Sequence, residues 1–466
     1  MLGPLRRSLA EIATLLRSLV RRHPGISVLL AAAFGAHVAV IVSIAGQPLE
    51  PSRYSTARAW IWPLHNDTVH RRGPGADFFA LYEAGRSVRR GHSAYDREPM
   101  PEAPHAYAYR YLPALASGVG APLSRLAPKH AWWLWIALLE VLLATTIAQI
   151  ALLSRRRVAV WASVLLLLSS PYFLELHMGQ FTFASCALAV LAAIWTEFRG
   201  GRTSAAAAIA AFASAALLKV FPLVTLPAFA RTARGAAVGA LAAVAVGAVA
   251  LPGFALHPDD WETFRRINFS APVGGLDAGN YGLSYVAHLL LAPEGGWAEE
   301  SWQRLVLVWQ WGLLFSTAGL VVMARHPGLL LGAATLLLAH FLSYVHVWEH
   351  HMSGALVAVL AAALVAEREG ERGALAVLLA CGTLLALPTP FWLLDSALDP
   401  RVWDPSTGWP SWQRALLASS KALPLLLAFG ACLWVLLRQG VGAPRLLSGS
   451  QPDWAASPPA ALPRRD

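Results

Sequence analysis

Long apolar runs alternate with short polar loops along almost the whole chain. Two of the runs read SVLLAAAFGAHVAVIVSIAG and WWLWIALLEVLLATTIAQIALL, and both are continuous. A run of about 20 apolar residues crosses a bilayer as an α-helix, whereas a membrane β-barrel shows alternating segments of about ten residues. The pattern predicts an all-α polytopic membrane protein. About twelve spans are predicted, at 27–46, 131–153, 158–175, 181–197, 203–218, 220–230, 235–254, 303–323, 328–345, 352–366, 373–394 and 414–437.

Basic side chains concentrate in the short loops between these runs, and such loops are typically cytoplasmic. This assignment places both termini inside. A single span over 203–230 would put Arg231 and Arg234 on the opposite side, so this segment is predicted to be a short helical hairpin with Lys219 near its turn. The loops predicted to be cytoplasmic contain Arg155 to Arg157, Arg199 and Arg202, Arg231 and Arg234, Arg325, and Arg368 and Arg372.

The alternation divides the chain into three regions. Residues 1–26 are predicted to be a cytoplasmic N-terminal segment, residues 27–440 a transmembrane domain, and residues 441–466 a disordered cytoplasmic tail rich in Pro, Ser and Arg. Ser43-Ile44-Ala45 resembles a signal-peptide cleavage site. Because the apolar run before it is long for a signal peptide, an uncleaved anchor is predicted.

The first long polar loop, at 47–130, falls on the far side of the membrane. Its stretches 76–90 and 109–126 are amphipathic, which predicts short helices lying in the membrane interface. Further far-side loops are predicted at 172–180, 255–302, 346–351 and 395–413.

Composition supports the membrane assignment. The chain of 466 residues is 56% hydrophobic and 14% charged, whereas soluble domains carry about 25% charged residues. A net charge of +10 would suggest nucleic-acid binding in a soluble protein. Here Arg-rich loops held against anionic lipid explain it, and no nucleic-acid partner is predicted. Cys186, Cys381 and Cys432 lie inside apolar runs without metal-ligand spacing, so neither a disulfide framework nor a zinc site is predicted.

Asp77 is the first far-side polar residue that needs an explanation. A carboxylate among apolar and aromatic neighbours suits a general base that takes a proton from a sugar hydroxyl. The competing interpretation is a helix N-cap, because an Asp before FFALYEAGR also fits a capping role.

Cations and histidines form the second set of candidates. Arg86, Arg89, Arg90, Arg110 and Lys219 suit phosphate binding, although attraction to lipid head groups is the favoured explanation for Arg89 and Arg90. Lys219 lies between apolar residues in AALLKVFP, where snorkelling to the membrane surface explains it less well.

The segment YVHVWEHHM, residues 344–352, clusters His346, Glu349, His350 and His351. Hydrogen bonding to phosphate or sugar is favoured over a metal site, because adjacent histidines point to different helix faces. Interfacial histidines that are hydrated remain the alternative.

Two other far-side segments carry polar residues. ELHMGQF holds Glu175, His177 and Gln180, and Gly179-Gln180 at a helix start is predicted to offer free backbone N–H groups. The loop at 255–302 adds acids, Asn280 and Tyr281, a mixture that suits carbohydrate but also suits any exposed loop.

A set of motifs in fixed order resembles a known family. The segments are ADFFALYEAGRSVRRGHSAYD, YRYLPALASGVGAPLSRL, HMGQFTFASCALAVLAAIW, ALLKVFPLVTLPAF, NYGLSYV and VWEHHM. In this order they resemble the polyprenyl-phosphate-mannose-dependent mannosyltransferases of the GT-C class, glycosyltransferase family 87, over residues from about 27 to 437. The resemblance implies a GT-C-like bundle with its catalytic face toward the periplasm of a bacterial cytoplasmic membrane.

The resemblance also implies site residues. Asp77 matches the catalytic base, Lys219 and the Trp348, His350 and His351 segment match groups near the donor phosphate, and Gly179 and Gln180 match the Gly-Gln loop. The full candidate set is Asp77 as base; Lys219, His350, His351, Arg86 and Arg110 at the phosphate; and Gln180, His177, Trp348, Glu349, Asn280, Tyr281 and Asp96 at the sugars.

This chain departs from the family pattern at several positions. Asp77 lies about thirty residues past the first span, Glu83 stands where a small residue is expected, and a Pro-Pro pair is reduced to Leu112-Pro113. These differences bear on the acceptor and the donor sugar more than on the reaction class.

The predicted function is inverting transfer of a hexose, by family default mannose, from a polyprenyl-phosphate donor to a lipid or glycan acceptor, without metal or cofactor. The alternative from another class is a transporter or flippase of lipid-linked sugars, which needs polar residues near the midplane. A lipid-linked polymerase or ligase is the alternative among enzymes, but it places its large loop later in the chain. Here the richest polar loop comes first and the polar residues crowd toward one side.

Overall fold

The computed structural model describes residues 24–49, 74–96, 107–269, 279–291, 299–325, 328–390 and 409–440. These residues are helical and contain no β-strand. The predicted N-terminal segment up to residue 23, the predicted disordered tail and Glu50 to Gly73 of the first polar loop lie outside the described residues.

The α-helices are numbered here in chain order. They are α1 Pro24–Ala45, α2 Ala76–Arg89, α3 Pro113–Leu115, α4 Ala121–Leu123, α5 Pro128–Leu153, α6 Arg156–Leu167, α7 Ser170–Met178, α8 Thr182–Phe198, α9 Arg202–Leu218, α10 Leu226–Phe229, α11 Ala233–Leu256, α12 Asp259–Phe269, α13 Leu283–Leu291, α14 Glu299–Met323, α15 Leu329–Ser343, α16 His351–Glu369, α17 Arg372–Ala386 and α18 Ser411–Arg438. A π-helical turn, Ala116–Gly120, joins α3 to α4, and a 3-10 helix, Phe221–Thr225, precedes α10.

Six of the described helices are long and apolar enough to cross a membrane: α1, α5, α11, α14, α16 and α18. A seventh span results if α6 and α7 are taken together as one span bent by 42°. Helices α8, α9, α15 and α17 are apolar but shorter, with 10–17 residues. These elements occupy the predicted spans, while the total of about twelve remains a prediction.

Helix α16 lies at the centre of the bundle. Its residues from His351 to Glu367 are all buried, and it packs against α8, α15 and α17. Ala, Val and Leu make up most of this helix, so its neighbours approach closely on all sides. The outer helices α1, α11 and α14 bury much less of their surface, as expected of helices that face lipid. The three cysteines are buried and form no disulfide.

The predicted span 158–175 is broken in the structure. Helix α6 ends at Leu167 and α7 begins at Ser170. The Ser169 side chain accepts a hydrogen bond from Tyr172 N at 3.2 Å, and Pro171 occupies the first turn. Both features start a new helix. The far-side loop predicted at 172–180 is therefore mostly the helix α7, and this prediction was wrong because the SSPY start signal was overlooked.

The predicted hairpin around Lys219 agrees with the contacts of its two ends. Lys219 lies beside Thr182, at the start of α8, and Arg234 contacts the carbonyl oxygen of Trp195, near the end of α8. The chain between them, a 3-10 helix followed by the single turn α10, therefore runs back along the bundle. It is a short irregular return rather than a second regular helix.

The basic loops meet at one end of the bundle, as their predicted common side requires. Their side chains bind carbonyl oxygens and acids of neighbouring helix ends, in the pairs Arg231–Val321, Arg234–Trp195, Arg368–Leu153 and Arg438–Glu371. The candidate site residues on α7, α8 and α9 lie at the opposite ends of those helices.

Helix α2 confirms the predicted helix at 76–90 but does not lie on a surface. Eleven of its 14 residues are buried. Gly85 lets it approach the π-helical turn, because a Cβ there would lie 2.0 Å from the carbonyl carbon of Gly120. The apolar face of α2 is thus covered by protein, and the amphipathic pattern reflects packing into the bundle. The predicted helix at 109–126 is present only from Pro113 to Leu123, as α3, the π turn and α4.

Candidate active site

Two left-handed glycines fix the first turn of α2 against the end of α7. Gly75, with φ 78°, is the N-cap of α2, and its N–H donates to the carbonyl oxygen of His177 at 2.6 Å. Gly179, with φ 68°, ends α7. A Cβ on Gly179 would lie 2.4 Å from Cβ of Phe78, so a larger residue would push the two helices apart.

Asp77 lies in this first turn and is 8% exposed. Its Oδ2 has no hydrogen-bond partner among the described residues. The side chains of Gln180 and Tyr111, which are joined by a hydrogen bond from the Tyr111 hydroxyl to Gln180 Oε1 at 3.4 Å, lie beside the carboxyl group. Burial raises the pKa of Asp77 from 3.8 to about 6, although the positive charge of Lys219 opposes the shift. The N-cap interpretation does not hold, because Gly75 occupies that position and no side chain caps the helix.

Glu175 is the central residue that the candidate set omitted. It is fully buried on α7. Its Oε1 accepts from the backbone N–H of Phe183 at 2.6 Å, and its Oε2 accepts from the hydroxyl of Ser353 at 2.6 Å. One carboxylate therefore links α7, the start of α8 and the start of α16. The signal was present in the sequence as a lone acid in the apolar stretch PYFLELHM.

The backbone N–H groups expected to be free at Gly179-Gln180 are in fact bonded. The N–H of Gln180 donates to the carbonyl oxygen of Glu175 at 3.0 Å, and that of Gly179 donates to Leu176 at 3.2 Å. This pairing is a Schellman motif, which satisfies the last carbonyls of α7. The prediction of a backbone anion site there was wrong, and Gln180 contributes through its side chain instead.

Lys219 supplies the positive charge of the cluster. It is the first residue after α9, it is half-buried, and its Nζ donates to the hydroxyl of Thr182 at 2.8 Å. Its charge acts on both Asp77 and Glu175. One ammonium group and two carboxylates thus share a site that is largely shielded from water, where charges interact strongly.

Lys219 also acts by its charge on two buried histidines, His350 and His351. The rings of His350 and His351 are 4.3 Å apart. Nδ1 of His351 accepts from the N–H of Trp348 at 2.9 Å, which fixes its orientation. Nε2 of His350 is buried without a hydrogen-bond partner among the described residues, so it is available for a ligand.

His340 adds an aromatic wall that the sequence reasoning did not identify. It stacks on Phe221 with ring centroids 4.5 Å apart, and the rings of Phe341 and Tyr344 also lie beside it. Lys219 acts on His340 as well, so this wall borders the same cluster.

Some predicted residues are brought to the cluster and others are held elsewhere. Arg110 is exposed, and its charge acts on Asp77 and Tyr111. Arg86 is nine residues beyond Asp77 on α2, which in an α-helix is the opposite face and about 13 Å along the axis. His177 is buried at the end of α7, and Trp348 is half-buried beside His346.

Three predicted sugar contacts have structural partners. Glu349 forms an ion pair with the buried Lys421 at 3.7 Å and accepts from the N–H of Thr389 at 3.1 Å. Asn280 donates to the carbonyl oxygen of Val345 at 2.6 Å and accepts from the N–H of Val347 at 3.0 Å.

Tyr281 contacts the same segment, residues 345–347, because its backbone N–H donates to the carbonyl oxygen of Val347 at 2.6 Å. These bonds position the chain that leads to His350. Asp96 is exposed and lines a separate cavity, whose described lining includes neither Asp77 nor Lys219.

The arrangement combines a buried carboxyl group, a cation and neutral hydrogen-bonding groups at one end of a helical bundle. The model of glycosyltransferase family 87 matches residues 111–345, about half of the chain. The matched region contains Tyr111, Gln180 and Lys219, while Asp77 and His350 lie outside it. No curated protein and no solved structure matches the chain.

Proposed function

Because this chain belongs to glycosyltransferase family 87, a GT-C class family of membrane glycosyltransferases, we propose that it is an inverting hexosyltransferase that uses a polyprenyl-phosphate sugar. The proposed sugar is mannose. The acceptor is a lipid or glycan on the periplasmic face of a bacterial cytoplasmic membrane. The observation that carries the proposal is a buried carboxylate, Asp77, with one free oxygen beside the cation Lys219.

Asp77 is proposed as the general base. With a pKa of about 6, it is about nine-tenths ionised at pH 7 and is a better proton acceptor than an ordinary carboxylate. Gln180 and Tyr111 orient the carboxyl group and leave Oδ2 for the acceptor hydroxyl. As the acceptor oxygen bonds to the anomeric carbon, its proton passes to Asp77. The bond from that carbon to the phosphate oxygen breaks, and its electron pair leaves with polyprenyl phosphate.

Lys219 and His350 are proposed to hold the leaving phosphate. Negative charge grows on the phosphate as the bond breaks, and a cation already placed there stabilises the transition state more than the ground state. Thr182 fixes the ammonium group of Lys219, and the unpartnered Nε2 of His350 offers a donor when it carries the proton. His351 supports that ring, and Arg110 approaches from the exposed side.

The sugar of the donor is proposed to lie between these two groups. The sugar contacts are proposed to come from His177, whose backbone contacts Gly75 beside the base, from Trp348 beside His351, and from Gln180. The attack on one face of the sugar and departure from the other then invert the anomeric centre. This requires base and phosphate site on opposite sides of the sugar, and Lys219, whose charge acts on both Asp77 and His350, brings the two groups into one cluster.

The donor class is tested with the purified full-length protein in detergent and a total lipid extract as the source of acceptor. Radiolabelled polyprenyl-phosphate-mannose and GDP-mannose are offered in parallel, and the anomeric configuration of the product is determined by linkage-specific mannosidases. Transfer from the lipid-linked donor alone, with inversion, is the expected result. Transfer from GDP-mannose, or retention of configuration, refutes the proposal. Movement of intact lipid-linked sugar across vesicles without transfer would instead support the transporter alternative.

A further inference from the structure

A cavity of about 90 Å³ opens on the helix that carries Asp77. Ala80 and Ala84 of α2 form part of its wall, and they follow Asp77 at i+3 and i+7. Residues at these spacings lie on one face of a helix. The cavity therefore opens on the same face of α2 as Asp77, one to two turns further along the helix.

Tyrosine rings connect the cavity to the base. Tyr95 and Tyr109 line the cavity with their ring centroids 5.6 Å apart, and Tyr109 lies 5.6 Å from Tyr111, whose side chain lies beside Asp77. The hydroxyl of Tyr95 donates to the carbonyl oxygen of Tyr111, and that of Tyr109 donates to Leu112. With the hydroxyl groups engaged, the tyrosines offer mainly ring surface, which suits the C–H face of a pyranose.

The polar part of the wall is acidic. Glu83 of α2 and Asp96 both line the cavity, and Thr263 of α12 adds a hydroxyl. Asp260 lies one turn before Thr263, is buried, and has an Oδ2 without a hydrogen-bond partner among the described residues. Its other oxygen accepts from the hydroxyl of Ser93. Carboxylates accept hydrogen bonds from sugar hydroxyls in the same way.

The charged side chains of the lining indicate which class of ligand the cavity can bind. The described lining contains acidic side chains and neither Lys nor Arg, so it offers no cation to a phosphate or another anion. A metal ion does not account for the acids, because the described residues hold no group of three or more His, Cys, Asp or Glu able to bind one. A polyhydroxy ligand without charge matches both the aromatic and the acidic parts of the wall.

We propose that this cavity binds an uncharged saccharide of the acceptor, so that a glycan, rather than a bare lipid, presents its hydroxyl to Asp77. The inference rests on the proposed function for the role of Asp77, but the binding site is defined by its own residues. The acceptor sugar enters along α2, while the lipid-linked donor occupies the Lys219 side. Specificity for the acceptor is then set by Glu83, Asp96 and Thr263.

The test is binding of radiolabelled octyl α-mannoside to the full-length protein in nanodiscs, measured by scintillation proximity. Saturable binding is expected, displaced by methyl α-mannoside and not by octanol. Asp96→Asn should weaken it about tenfold, as loss of a hydrogen bond to a charged group does, and Thr263→Val a few-fold. Asp96 is exposed and Thr263 is partly exposed, so neither change is expected to impair folding.

Glu262→Gln is the matched control, because Glu262 is an exposed acid on α12, adjacent to Thr263, that does not line the cavity. Lys219→Gln tests whether the octyl α-mannoside binds at the proposed donor site instead of the cavity. Equal affinity in all variants, loss of binding only in Lys219→Gln, or displacement by octanol would each overturn the inference. Transfer from the lipid-linked donor is measured separately, so saccharide binding without transfer refutes the proposed function and leaves the cavity assignment intact.

Discussion

Replacement of Asp77 by Asn is expected to reduce the rate of transfer without reducing the stability of the protein. The two side chains have nearly the same shape, but Asn neither ionises nor accepts a proton at neutral pH. A positioned general base contributes roughly a hundred- to ten-thousand-fold to a rate. Transfer by Asp77→Asn is therefore expected to fall by at least about a hundredfold, with binding of the donor retained because Lys219 and His350 are unchanged.

The effect on stability should have the opposite sign. The pKa of Asp77 is raised from 3.8 to about 6, a difference of about two units, and each unit corresponds to about 1.4 kcal/mol. The folded protein holds the proton more tightly than the unfolded chain does. Stability of the wild type therefore falls by up to about 3 kcal/mol as pH rises from about 4 through 6, and the loss persists at higher pH. Asp77→Asn avoids this loss.

The measurement is thermal unfolding in detergent at pH 5 and pH 7.5, combined with transfer rates across the same range. The variant should unfold at the wild-type temperature or above it at pH 7.5. The wild-type rate should decline below about pH 6, where Asp77 becomes protonated. Asp259→Asn is the control, because Asp259 is an exposed acid in the first turn of another helix. Retained transfer in Asp77→Asn, or marked destabilisation without any pH dependence, would refute the reasoning.

Three further outcomes are expected. Lys219→Gln should raise the KM for the donor about tenfold or more. It should also move the fall of the transfer rate on the acidic side to higher pH, because the Lys219 charge opposes protonation of Asp77. An unchanged pH profile would contradict this. Lys421→Met should lower the free energy of unfolding by about 3–5 kcal/mol, because it removes the cation that offsets the buried charge of Glu349. Adding Glu349→Gln should recover much of this loss in thermal unfolding; equal stability of the single and double variants would exclude the ion pair. Gly179→Ala should abolish transfer and lower the unfolding temperature. Gly91→Ala, also at positive φ but in open space, should lower the free energy of unfolding by only about 1–2 kcal/mol. Similar losses of stability in both variants would refute a packing role for Gly179.

Several local features could be predicted from the sequence because they depend on neighbouring residues only. The apolar runs predicted the helices, since a bilayer-length apolar stretch must satisfy its backbone internally. The basic loops were predicted to lie on one side of the membrane, and the contacts of Arg231, Arg234 and Arg368 at one end of the bundle agree with this. Motif order identified the family, which the match over residues 111–345 shows.

Other features depend on contacts between residues distant in sequence, and for these the local sequence pattern gave wrong predictions. The amphipathic pattern of 76–90 was interpreted as a surface helix, but α3, the π turn and α4 cover α2 through the contact of Gly85 with Gly120. Glu349 and Asn280 were expected at the sugars. Their partners, Lys421 and the carbonyl of Val345, come from 72 and 65 residues away and could not be inferred from spacing.

The sequence alone determined the class of the molecule, the helices and the chemistry available to it, because hydrophobic length, loop charge and motif order are properties of contiguous residues. The tertiary structure decided which charges meet. It placed Glu175 beside Lys219 through contacts with Phe183 and Ser353, and it left one oxygen of Asp77 without a partner. Burial and pairing set the proton affinity of a carboxylate, and both arise only when helices far apart in the chain pack together.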